Sequence, residues 1–244
     1  YWKDTSCATL DAALADPDKC TGARIFHFGS VTLSTEQSRK PTLAAATLAR
    51  NAGSVISFDA NLRPGLWSWE TDKARQPILD AMKLSHIVKL SEEELYFLAG
   101  IEAKAGDIHR DDEKTGELMA RLVKDTGIAL LFVTFGKDGC RWFGPAGSGA
   151  MDSLKVKAID TVGAGDCFMA GVLFKFFGLK KEPFQLSTED YRLMARQGVT
   201  SGALSTEKRG GIPSIPSQTD VIMRLPDREG TPGAHVTRQR NRSG

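Results

Sequence analysis

Cysteine is scarce in this sequence and badly placed for chemistry. Cys7, Cys20, Cys140 and Cys167 lie far apart, so no CxxC metal or redox pair can be drawn, and unpaired thiols suit a reducing compartment. No signal peptide and no apolar run long enough to span a membrane is recognisable in these residues, and a cytoplasmic location is the expectation. No G-x-G-x-x-G follows an early strand, so a Rossmann dinucleotide site has little support. An excess of charge is missing as well. The 32 Lys and Arg stand against 30 Asp and Glu, a formal net charge of +2, and the bases are scattered among acids until the C-terminus, which gives no reason to invoke nucleic acid or a membrane as partner. Finally there is no initial Met. The chain opens on Tyr1, Trp2 and Lys3 as if in mid-strand, and the expectation is that something upstream is missing.

What is present fits one sizeable α/β core: 244 residues, 41% hydrophobic and 25% charged. ARIFHFGS is apolar enough for a buried strand, EQSRKPTLAAATLARNAG reads as an Ala-rich helix stopped by Gly53, and SVISFDAN returns to a strand. HIVKLSEEELYFLAG gives a strand and then a helix, ELMARLVKDTG a helix, ALLFVTFGKDGCRWFG two strands about a turn, and STEDYRLMARQGVTSGALST a further helix. Repeated β-α-β order argues for a three-layer α/β/α sandwich with a mostly parallel sheet and its ligands at the C-terminal strand ends. We expect one domain over 1–217 and a basic, disordered tail over 218–244. His27, inside a strand, reads as a satisfied core imidazole.

The stretch that organises the chain is Asp160-Thr161-Val162-Gly163-Ala164-Gly165-Asp166, followed by the apolar run CFMAGVLFKFF. Small residues let backbone N–H groups approach an anion, and a helix start behind them adds a positive dipole end. A carboxylate in that place repels an anion unless it has work to do, and taking a proton from an attacking hydroxyl is such work. The structural alternative makes Gly163 and Gly165 turn glycines and Asp166 a helix-terminal acid.

Other candidates also carry two readings. Asn61 and Arg63, in FDANLRPGLW, suit an anionic or polyhydroxy ligand at a strand end, or belong to a turn set by Pro64 and Gly65. Ser91 and Glu94 form a capping box, yet one Glu94 oxygen could hold the backbone while the other orders water around a cation. Thr134, Gly136 and Gly139, in TFGKDG, are a hairpin turn or the wall of a nucleotide site. Gly202 and Ala203 allow a flat base to approach, or serve a helix-helix contact.

DTVGAGDCFMAGVL closely resembles the C-terminal signature of the ribokinase-like, or PfkB, family of carbohydrate kinases. The resemblance implies that the amides of Gly163, Ala164 and Gly165 form an anion hole and that Asp166 is the catalytic base. FDANLRPGLW is similar to the FDxNxRxxLW string of fructokinases and 2-keto-3-deoxygluconate kinases, which implies that Arg63, and Asn61 beside it, approach the sugar or the transferring phosphate. Glu94 matches the family's Asn-x-x-Glu motif, whose Glu helps organise magnesium, while Ser91 replaces the Asn. Thr134, Gly136 and Gly139 resemble the T-x-G-x-x-G segment beside the nucleotide phosphates. Gly202 and Ala203 fall where relatives build the adenine pocket, with Val199 at a position frequently Asn. Tyr1, Trp2 and Lys3 resemble an aromatic-aromatic-Arg stretch on the sugar-covering β lid, and equally suit an exposed strand edge. The implied ligands are a sugar, ATP and Mg2+, with a monovalent cation such as K+, and intact relatives are expected to pair as homodimers through the lid. The resemblance covers about 25–216. A sugar-holding Asp, a Gly-Gly segment and most of the lid, supplied by the N-terminal part of such kinases, are not recognisable. The reading is therefore an ATP-dependent sugar kinase, with fructokinase ahead of 2-keto-3-deoxygluconate kinase. Its rival is a non-catalytic PfkB-like nucleotide-binding or scaffold protein, favoured by Val199 and Ser91.

Overall fold

A computed structural model describes residues 20–67, 71–101 and 109–225. The apolar runs become strands β1 (Ile25–Gly29), β2 (Val55–Asp59), β3 (Ile87–Ser91) and β4 (Leu130–Thr134), paired parallel in chain order. Then β5 (Cys140–Gly144) and β6 (Gly147–Met151) turn back antiparallel to complete a six-stranded sheet. Helices α1 (Glu36–Asn51), α2 (Arg75–Leu84), α3 (Glu92–Ala99) and α4 (Glu113–Thr126) cover one face, where Ile56, Phe58, Val88, Leu90, Leu131 and Val133 point from the strands. Helices α5 (Ala164–Leu179) and α6 (Thr188–Ser205) cover the other, over Val55, Ile87, Leu130 and Phe132. This is the expected three-layer sandwich, with β2 to β4 buried almost throughout because both faces are covered.

Strand β6 was not legible in the sequence, because GSGAM has poor strand propensity. The glycine at position 149 is required by the Trp142 ring, which lies so close across it that any side chain there would collide. The boundary of the tail also needs correction. Gln218–Arg224 is not disordered but forms a short helix, α7, opened by a capping box in which the Ser217 side chain accepts from Asp220 N and the Asp220 carboxylate accepts from Ser217 N. The capping logic that marks α3 marks this helix too. Residues 226–244 lie outside the described residues, as do Tyr1, Trp2 and Lys3.

Helices α5 and α6 pack unusually closely, and glycine permits it. A Cβ on Gly171 would lie 2.7 Å from the Gln197 carbonyl oxygen and 2.7 Å from Ser201 Oγ, and one on Gly198 would lie 2.8 Å from Val172. Alanine has the better intrinsic helix propensity, by about 1 kcal/mol, but here its methyl meets backbone. Gly171→Ala should therefore destabilise the protein by about 1–3 kcal/mol in denaturant unfolding, the range for overpacking a tight contact. Stability equal to or above that of the wild type would show that the helices are free to separate.

Candidate active site at the start of helix α5

The sheet face beneath α5 is apolar at one end and polar at the other. Alternate residues share a face, and the pairing sets them in rows: His27 beside Ser57 beside Ile87, then Gly29 beside Asp59 beside Lys89. The second row holds a buried ion pair, with Lys89 Nζ 3.1 Å from Asp59 Oδ1 and 3.3 Å from Oδ2. Desolvation pushes the Asp59 carboxyl from its ordinary 3.8 up to about 6, against the opposing pull of Lys89; Glu94 and Asp166 push it further up. Two more carboxylates thus face the same place.

Helix α5 begins over this row. Gly163 has φ 81°, a left-handed conformation that favours glycine, and no side chain caps the helix. The Ala164 N–H turns to Thr161 O, and the first ladder bond is Cys167 N to Gly163 O at 2.9 Å. The N–H groups of Gly165 and Asp166 precede that ladder and are available to an anion. Lys89 Nζ reaches this turn: a Cβ on Gly165 would sit 2.9 Å from it. Asp166, on the same first turn, is exposed.

On the other side of the turn lies a cavity of about 540 Å³, within the range of about 300–1,000 Å³ common for small-molecule sites. Thr134, Gly136, Gly139, Gly165, Gly202 and Ala203 all line it, so the two segments read as nucleotide-binding meet in one space. Ala164 and Val199 line it as well, the latter as an apolar wall. The structural readings hold at the same time: TFGKDG is a hairpin turn in which Phe135 N donates to Gly139 O at 2.8 Å, and Gly202 lets α6 approach the Ala164 carbonyl. Sequence reasoning missed Lys137 and Lys155, two cationic walls of the cavity. Lys137 sat inside a quoted motif, but Lys155 lies in an irregular strand-to-helix connection with no pattern to mark it.

Asn61 and Arg63 follow the C-terminal end of β2 but do not line the cavity. Asn61 has φ 32°, and its N–H donates to Asp59 Oδ1 at 3.2 Å. Arg63 is exposed. Glu94 departs from the expectation that one oxygen stays free for water around a cation. Its Oε2 accepts from Ser91 N at 2.7 Å, and its Oε1 accepts from Leu62 N at 2.6 Å. Glu94 is therefore a buried clamp between the β2 loop and α3. The second expectation to fail is His27, which is no core imidazole: it is exposed at β1, with Nδ1 3.0 Å from the buried Ser57 hydroxyl. The ring is still crowded enough for burial to hold its pKa below 6.5, with Asp166 opposing and Lys89 adding to the shift.

A profile of the pfkB family of carbohydrate kinases matches residues 1–218. The chain belongs to that family. This pfkB chain is 36% identical to fructokinase-1 of Zea mays over 201 residues, 82% of its own length and 58% of the relative's. It is 37% identical to the probable chloroplastic fructokinase-6 of Arabidopsis thaliana over 222 residues, 91% of its own length and 54% of the relative's. It thus spans little more than half of these relatives. Among solved structures, a Vibrio cholerae fructokinase double mutant bound to fructose, ADP and potassium matches with TM-score 0.72 and 28% identity, over 84% of this chain and 61% of that one. A Xylella fastidiosa fructokinase with bound ATP matches with TM-score 0.77 and 25% identity, over 89% and 66%. Among the described residues no helix of the pfkB chain is long and apolar enough to cross a membrane.

The Asp59–Lys89 pair went unnoticed in the sequence because each residue reads there as the polar end of a strand; only the register joins them. Its titration gives a test with a definite sign. The folded pKa of about 6 exceeds the ordinary 3.8, so the folded state binds this proton more tightly, and Asp59 makes stability fall as pH rises from about 4 to about 6. By carbon-detected NMR the Asp59 carboxyl should titrate near 6, and Lys89→Met should move the midpoint up by removing the charge that holds it down. A midpoint that falls in the variant would contradict the pairing.

Proposed function

We propose that this chain carries the phosphoryl-transfer half of a sugar kinase, which moves the terminal phosphoryl group of ATP to a sugar hydroxyl, with fructose as the favoured acceptor. The observation that carries this reading is the uncapped start of α5, with a nucleotide-sized cavity on one side and the Asp166 carboxylate on the other. The base would rest against Val199, Gly202 and Ala203, and the phosphates would extend along Thr134 and Gly136 towards the N–H groups of Gly165 and Asp166. Lys137 and Lys155 would offset charge along that path. At the far side Asp166 would take the proton of the acceptor hydroxyl as its oxygen bonds to phosphorus, while the bond from phosphorus to the ADP oxygen breaks. Arg63, exposed beside the strand ends, is free to contact sugar or phosphate. Fructose is favoured because the relatives named above are fructokinases.

Magnesium fits this site as a companion of the nucleotide. No group of three His, Cys, Asp or Glu that could hold a metal occurs among the described residues, and Mg2+ is commonly bound by substrate phosphates and water with one or two carboxylates. When bound, it would offset charge on the phosphates; Asp59, held by Lys89, and Glu94, whose oxygens accept from Leu62 N and Ser91 N, would act on it only through water. A monovalent cation is read from the potassium of the Vibrio cholerae relative. A cytoplasmic setting suits the unpaired Cys20, Cys140 and Cys167. A second reading, a nucleotide-binding member of the family without turnover, draws on Val199, an apolar wall of the cavity at a position frequently Asn in relatives.

Initial rates with Mg-ATP and fructose, run beside nucleotide calorimetry, separate the readings. Asp166→Asn keeps shape but removes the proton acceptor, so kcat should fall by roughly 10²-fold or more. Nucleotide affinity should hold or rise slightly, because a negative charge beside the anion hole is gone. Near-normal turnover in the folded variant would remove Asp166 from the role of base. Nucleotide binding with no turnover in the wild type would favour the second reading.

A further inference from the structure

The exposed imidazole of His27 is not used by the reaction described above, yet it sits in the quarter of the molecule where the reaction would take place. It belongs to the polar end of the sheet face under α5, one row from Asp59 and Lys89. The other side chain of its row on β2, Ser57, is buried, and its hydroxyl is 3.0 Å from His27 Nδ1. That contact pins the ring about one nitrogen and leaves Nε2 with no partner among the described residues. The imidazole lies close enough to Asp166 and Lys89 for both charges to act on it. A histidine that is open to solvent, oriented by a buried hydroxyl and one row from Lys89, whose Nζ reaches Gly165 beside Asp166, is placed to touch the acceptor.

We propose that His27 is an acceptor-recognition residue, whose Nε2 binds a hydroxyl of a neutral polyol while a neighbouring hydroxyl of the same molecule lies at Asp166. This rests on the sugar-kinase reading above. The charges around His27 select the ligand class. Lys89 is committed to Asp59 at 3.1 Å, and the exposed Asp166 carboxylate repels anions and accepts hydrogen bonds from hydroxyls. A hydroxyl both donates and accepts, so it serves Nε2 in either tautomer: as acceptor when Ser57 donates to Nδ1, and as donor when Nδ1–H donates to Ser57. A carboxylate or phosphate oxygen serves only one of these tautomers. The ligand expected is therefore an uncharged vicinal diol, and the part of the acceptor read by His27 is next to the hydroxyl that receives phosphate.

The sequence holds four histidines, so imidazole signals resolve easily, and loss of one signal in His27→Gln assigns it. Fructose titrated into the chain saturated with Mg-ADP should move the His27 ring signals saturably and leave those of His86 and His109 in place. His27→Ala should weaken fructose binding by about three- to tenfold, the worth of one neutral hydrogen bond. It should leave Mg-ADP affinity unchanged, and Gln, which restores a polar partner, should recover part of the loss. Fructose that shifts backbone signals around Asp166 without moving His27, or that binds the Ala variant as tightly as the wild type, overturns the assignment and leaves the kinase reading standing. Mg-ADP binding with no fructose response anywhere overturns the assignment and the sugar reading together.

Discussion

How deeply helix α5 settles onto the sheet decides where every group of the candidate site lies. Its first turn comes down on the buried Asp59–Lys89 pair because Gly165 has no Cβ to meet Lys89 Nζ. Its middle is drawn against α6 because Gly171 and Gly198 let the backbones meet. A helix start in that position brings its dipole and its unladdered N–H groups to the end of the parallel strands. The cost is an ammonium close to a positive helix terminus. The neighbouring carboxylates of Asp59, Glu94 and Asp166 offset it, while desolvation by burial, against the pull of Lys89, holds the Asp59 pKa up at about 6.

The turn at Gly163 divides the site in two. On one side the cavity walled by Thr134, Val199 and Gly202 is largely uncharged apart from Lys137, Asp138 and Lys155, which suits a flat base followed by phosphates. On the other, acids and an imidazole gather around one lysine, which suits a neutral, hydroxylated partner. In the proposed reaction a group carried from the first side to the second would pass the Gly165 and Asp166 N–H groups. Phosphoryl transfer depends on such placement more than on reactive side chains. The clamp made by Glu94 belongs to the same design, since it fixes the loop bearing Arg63 to the start of α3.

Much of this was legible in the chain. The apolar runs and Ala-rich stretch marked the parallel strands and α1, the Ser91 box marked the start of α3, and the GAGD string marked the start of α5, because each is a local pattern with a local cause. What was not legible depends on partners distant in sequence. The Asp59–Lys89 pair is created by strand register, as is the contact of His27 with Ser57. The second bond of Glu94 goes to Leu62, 32 residues away. Strand β6 needs glycine at position 149 because the Trp142 ring lies over it, a contact that composition hides. Helix α7 was overlooked for a different reason: its capping box was present in Ser217 and Asp220, but a basic, Pro-containing surrounding masked it.

The claim on which all else rests is that the start of α5 is where the nucleotide ends and the acceptor begins. A crystal structure of the chain with Mg2+ and a non-hydrolysable ATP analogue tests it most directly. The account predicts the base against Val199 and Gly202, and the terminal phosphate within hydrogen-bond distance of the Gly165 or Asp166 N–H. A triphosphate that binds in the cavity but points away from α5, with those amides still bonded to solvent, would contradict it.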